Sequence, residues 1–114
     1  MIWCPKYRRK VLTGAVETRL KELLYEKAKE IEIKIEEMET MPDHVHLFIR
    51  ASPVDSPHHI LQQLKGFTSR MLRKEFPHLK SRLPTLWTRS YYIESVGCIS
   101  EDTIKRYIEN QKNV

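Results

Sequence analysis

His44 and His46 stand two residues apart in the run HVHLFI, whose alternation of apolar positions and content of β-formers predict a strand. Side chains of a strand alternate between faces, so both imidazoles leave the same face, about 6.6 Å apart at the backbone, and can converge on one cation. The same pattern also describes two packed strand histidines, and the spacing alone does not choose between them. Asp43, directly before them, suits either a further ligand, a group supporting a ligand, or simple turn chemistry after Pro42. Near the C-terminus Tyr107 and Gln111 lie four apart, which stacks them on one face of a helix and lets a nucleophile and a ligand sit together. A tyrosine phenol with a pKa of about 10 is a poor nucleophile in water. A divalent ion that polarises a phosphate or favours the phenolate removes that difficulty. Taken alone, Tyr107 in a terminal amphipathic helix reads as packing rather than catalysis, and it is the strand histidines that raise it as a nucleophile.

Charge points to the partner class. Twenty Lys and Arg against fifteen Asp and Glu give a net charge of +5, with a pI of about 9.3, which favours a polyanion. Lys6, Arg8, Arg9 and Lys10 crowd around Tyr7, and Lys65, Arg70, Arg73, Lys74, Lys80 and Arg82 form a second basic cluster near Phe67. The intervening Glu30, Glu32, Glu36, Glu37, Glu39 and Asp43 make the middle acidic, so an electrically two-sided molecule is expected. Trp87, Tyr91 and Tyr92 suit base stacking or sheet packing. His58 and His59 diverge by about 100° on a helix and read as helix-start residues close to phosphate rather than as a chelating pair. With three glycines and no phosphate-binding or nucleophile-elbow motif, nucleotide hydrolysis is not indicated. Cys4 and Cys98 lie outside any C-x-x-C pair and read as reduced thiols. The mean hydropathy of −0.53, without a long apolar run, leads to the expectation of a soluble cytoplasmic protein.

The elements that must carry these residues follow from periodicity. Ile2 to Cys4 forms a short strand stopped by Pro5, and Val16, Leu20, Leu23, Leu24 and Ala28 mark a helix over 15–30. Ile31, Ile33 and Ile35 alternate with Glu32, Lys34 and Glu36 as a second strand, with a break at 41–43. His44 to Ile49 is a strand nearer the sheet centre. Ile60, Leu64, Phe67 and Met71 mark a second helix, Pro77 to Pro84 reads as irregular, and Trp87 to Glu94 is a fourth strand. Ser100 caps a last helix that runs to about Lys112. The resulting β-α-β-β-α-β order with one extra C-terminal helix is an α+β, ferredoxin-like split β-α-β sandwich, a single domain over residues 1–114.

Together MPDHVHLFI, WCPKYRRKVL, LWTRSYYIESVG and IKRYIENQ, in that relation along nearly the whole chain, resemble the TnpA-type transposases of small insertion sequences, the single-tyrosine branch of the HUH endonucleases. The resemblance implies that His44 and His46 bind a divalent cation, Mg²⁺ or Mn²⁺, with Gln111 as third ligand and Tyr107 as nucleophile. It implies cleavage and rejoining of single-stranded DNA at hairpin-marked element ends through a 5′-phosphotyrosine, without a nucleotide cofactor or a membrane. It also implies a homodimer in which the tyrosine helix can act in trans. Lys6, Tyr7, Arg8, Arg9, Lys10, Lys65, Arg70 and Arg73 are then the candidates for the DNA path. Members of this family begin with a longer first strand than the two residues before Trp3, so a shortened first strand is expected. Two alternatives share parts of this pattern: a non-catalytic module that grips single-stranded or hairpin nucleic acid, and a domesticated relative that processes hairpins. A structural or metal-binding domain with only solubilising charge is a third, and it predicts no salt-sensitive DNA affinity.

Overall fold

The three-to-four spacing of Val16, Leu20, Leu23, Leu24 and Ala28 produces a helix with these five side chains buried along one stripe. In the computed structural model, which describes residues 1–52 and 54–94, the chain runs β1 (Ile2–Pro5), a 3-10 turn (Lys6–Arg8), α1 (Gly14–Glu30), β2 (Lys34–Met41), β3 (His44–Arg50), α2 (Pro57–Glu75), α3 (His78–Arg82) and β4 (Trp87–Tyr92). The strands form one sheet in the order β2-β3-β1-β4, and each neighbouring pair is antiparallel. β3 thus lies between β1 and β2, the two strands that α1 connects, which is the ferredoxin-like split β-α-β arrangement. The expected last helix, with Tyr107 and Gln111, lies outside the described residues.

Alternation along β3 decides which side chains reach the core. Val45 and Leu47 join Trp3 and the leucines of α1 and α2 in one buried cluster, whereas His44 and His46, at alternate positions, point to the opposite face. Register carries this across the sheet, with Trp3 opposite Val45 and Ile2 opposite His46. At the β4 edge Trp3 meets Trp87 edge to face at 5.9 Å. The Trp87 indole N–H donates to Thr68 Oγ1 at 3.0 Å, and that hydroxyl donates to the Leu64 carbonyl at 2.7 Å, which ties β4 to α2.

Two local readings are corrected. The second strand begins at Lys34 rather than Ile31, because residues 31–33 close α1 instead. The Ile33 N–H reaches back to the Ala28 carbonyl at 2.9 Å and the Glu32 N–H to Lys29 at 3.3 Å, with Glu32 in the left-handed region at φ 59°. This is a Schellman cap, and the Ile-Glu-Ile alternation within it mimics a strand. The second correction is α3, a single helical segment inside the stretch read as irregular. Glycine suits the left-handed position of such a cap better than glutamate. Glu32→Gly is therefore expected to stabilise the protein by about 0.5 kcal/mol, the relieved strain exceeding the added chain entropy. Urea denaturation checks this, and a lowered midpoint would show that the Glu32 side chain stabilises the fold by more than its backbone strain costs.

β2, which carries Glu36, Glu37 and Glu39, occupies one edge of the sheet, and the basic segment following β1 meets the β2–β3 turn through the Arg8–Asp43 ion pair. No helix among the described residues is long and apolar enough to cross a membrane.

Candidate functional site

The β2–β3 hairpin turns at Pro42 and Asp43 and delivers His44 and His46 to one sheet face. Their ring centroids are 4.7 Å apart with planes tilted by 52°, so the two imidazoles are close enough for one ion to draw on both. His46 is buried and His44 largely so, with 3% of the His46 residue exposed and 16% of the His44 side chain. Across the strands, Met41 lies opposite His44 and Glu39 opposite His46.

Asp43 supports this pair rather than joining it. Its Oδ1 lies 2.6 Å from His44 Nδ1, and its Oδ2 accepts from Arg8 Nη2 at 3.2 Å. Burial pushes the Asp43 carboxyl up, but the His44 hydrogen bond and the electrostatic attraction of the His44 ring and the Arg8 guanidinium outweigh it and hold the group below the usual carboxylate value. Among the described residues no group of three His, Cys, Asp or Glu side chains is placed to hold a metal. The described donor set is therefore two imidazoles, a fit for part of a cation shell whose other positions substrate oxygens and water can fill.

The basic candidates separate into different surroundings. Tyr7 is exposed with the Lys6 ammonium 5.4 Å from its ring centre, and Arg9 and Lys10 are exposed. Arg70 is exposed and lies over the Phe67 ring at 5.7 Å, while Arg73 is half-buried with Nη2 3.5 Å from the Leu83 carbonyl. Lys65 is 7% exposed, its ammonium donates to the Thr88 carbonyl at 2.7 Å, and burial lowers its pKa. That charge is engaged inside the fold. Burial pushes the Cys4 thiol up, with Asp43 adding to the effect and Arg8 and Lys65 opposing it, so Cys4 is a weak candidate nucleophile.

Two associations escape sequence reading. Arg8 joins the histidine turn from 35 residues away in the chain. At the start of α2, where the Ser56 hydroxyl caps the His59 N–H at 3.3 Å, His58 Nδ1 bonds the Tyr91 hydroxyl, and Lys65 lies 5.6 Å from that ring's centre. The positive cluster around Tyr7 is a signal for Arg8 as a functional residue, but nothing in the sequence pairs either set.

Residues 1–111 match a family profile described as transposase IS200 like. The chain is 39% identical over 113 residues to the ISDra2 transposase TnpA of Deinococcus radiodurans, covering 97% of this chain and 81% of that protein. It is 30% identical over 117 aligned positions to the transposase for insertion sequence element IS200 of Salmonella typhimurium, covering 98% of this chain and 77% of that one. A crystal structure from Deinococcus radiodurans R1, assigned to a transposase, superposes with a TM-score of 0.78 at 37% identity, covering 96% of this chain and 86% of the other.

Proposed function

Because the chain belongs to the IS200-like transposase family, we propose that it cleaves and rejoins single-stranded DNA at hairpin-marked element ends through a covalent link to Tyr107. The observation that carries this reading within the structure is the pair of imidazoles on one strand face, 4.7 Å apart, with a carboxylate behind the first. His44 and His46, with Gln111, would hold a divalent cation, Mg²⁺ or Mn²⁺. Such a cation supplies Lewis-acid stabilisation of the charge that develops on the scissile phosphate.

The chain's own groups account for the rest. The Tyr107 phenol loses its proton and its oxygen attacks phosphorus. The bond from phosphorus to the 3′ oxygen breaks, leaving a 3′-OH on one strand and a 5′-phosphotyrosine on the other. A 3′-OH then attacks that phosphotyrosine, the new phosphodiester forms, and the tyrosine oxygen leaves and regains a proton. Each step exchanges one phosphoester bond for another, so no nucleotide is consumed. The basic segment Lys6 to Lys10, with Arg70 and Arg73, would line the phosphate path and make binding salt-dependent. A homodimer belongs to the same reading, with the tyrosine helix of one copy serving the histidines of the other.

The test is incubation of the protein with labelled single-stranded hairpin DNA from the flanks of its own gene, with Mg²⁺, with Mn²⁺ and with EDTA. A covalent adduct on a denaturing gel is expected with either metal and not with EDTA. Salt-sensitive binding without an adduct would instead identify a non-catalytic hairpin-binding module.

A further inference from the structure

We propose that Arg8 and Asp43 are positioning residues that hold His44 in one tautomer, with the proton on Nδ1 and the Nε2 lone pair left free. An ionised carboxylate can only accept a hydrogen bond. The 2.6 Å contact between Asp43 Oδ1 and His44 Nδ1 therefore requires the ring proton at Nδ1. Such a partner fixes both the ring orientation and the tautomer.

Arg8 prevents Asp43 from turning away. The two carboxylate oxygens are used separately, Oδ1 on His44 and Oδ2 on the Arg8 guanidinium. A backbone bond reinforces the clamp, since the Leu12 N–H donates to the Pro42 carbonyl at 3.0 Å. Residues 5–12 thus grip the turn that launches β3 at both of its residues. Backbone strain accompanies this grip. Tyr7 and Arg8 both lie in the left-handed region, with φ of 61° and 51°, a conformation that is strained for any residue but glycine. Neighbouring bonds hold them there, from Lys6 N–H to the Leu86 carbonyl at 2.8 Å and from Arg9 N–H to Lys6 at 3.3 Å. The reversal in the chain brings Arg8 back to Asp43, and the guanidinium keeps further donors for a phosphate.

The consequence for catalysis rests on the proposed cation site, but the tautomer can be read without it. Nitrogen-15 NMR of the histidine rings in the metal-free protein, with His44 assigned by His44→Gln, is expected to show a protonated Nδ1 and a bare Nε2. Asp43→Ala should lose this state, Arg8→Ala should lose it in part, and Arg8→Lys should restore most of it. Mn²⁺ binding without DNA, followed by electron paramagnetic resonance, should weaken about ten- to a hundredfold in Asp43→Ala. Thermal unfolding establishes that each variant is folded. A protonated Nε2 in the native protein, or an unchanged His44 tautomer in folded Asp43→Ala, would overturn the proposal. Should the native protein hold no Mn²⁺ while Asp43→Ala still loses the tautomer, the cation assignment fails and the positioning role stands.

Discussion

Tyr107→Phe is expected to abolish the covalent DNA adduct and strand cleavage while hairpin binding in EDTA persists. Phenylalanine keeps the ring and loses only the hydroxyl, so a packing role survives the change and a nucleophilic role does not. Removing a nucleophile from a centre that works as a unit costs about 10⁴-fold or more in rate, which takes cleavage to the detection limit. Hairpin affinity draws instead on Lys and Arg contacts with phosphate and should keep its dependence on salt. Quantitative denaturing gels and a binding titration on the same labelled hairpin separate the two. Cleavage by Tyr107→Phe at the native rate would remove Tyr107 from the chemistry and leave the family's reaction with another nucleophile.

His44→Ala should reduce metal-dependent cleavage by about 10²- to 10³-fold, the range for losing one element of preorganised charge stabilisation. One imidazole is then left where two stood 4.7 Å apart. Raising the Mn²⁺ concentration should recover part of the loss, because a weakened site refills by mass action. Hairpin binding in EDTA should change far less than cleavage. His44 sits at the end of the turn, with part of its side chain open to solvent, so truncation leaves a smaller void than the same change at buried His46. Equal losses of binding and cleavage would point to a folding defect and argue against a ligand role for His44.

What was legible in the chain follows the range over which each signal acts. Periods of two and about 3.6 residues reflect local backbone geometry, so the buried stripe of α1 and the shared face of His44 and His46 could be read directly. The Ile31-Glu32-Ile33 pattern misled because a Schellman cap places apolar residues beside a left-handed one, giving the alternation of a strand without its dihedrals. α3 passed unseen because so short a helix completes little more than one turn, too few residues for a period to emerge. Lys65 counted as one more cation in a basic cluster. Folding instead placed its ammonium on the Thr88 carbonyl, a contact made across 23 residues.

By itself the sequence determined the β-α-β-β-α-β order, the H-x-H pair on one strand face, and the residue types that resemble a single-tyrosine transposase. Each of these depends on side chains a few positions apart, whose relation the strand or helix already dictates. Only the tertiary structure decided that Asp43 bonds His44 with one oxygen and Arg8 with the other, that Lys65 is buried, and that His58 meets Tyr91. Those partners are joined by the pairing of β1 with β3 and by the packing of α2 against β4. Such long-range closures depend on burying the whole apolar cluster at once, and no local pattern encodes which polar groups that burial brings together.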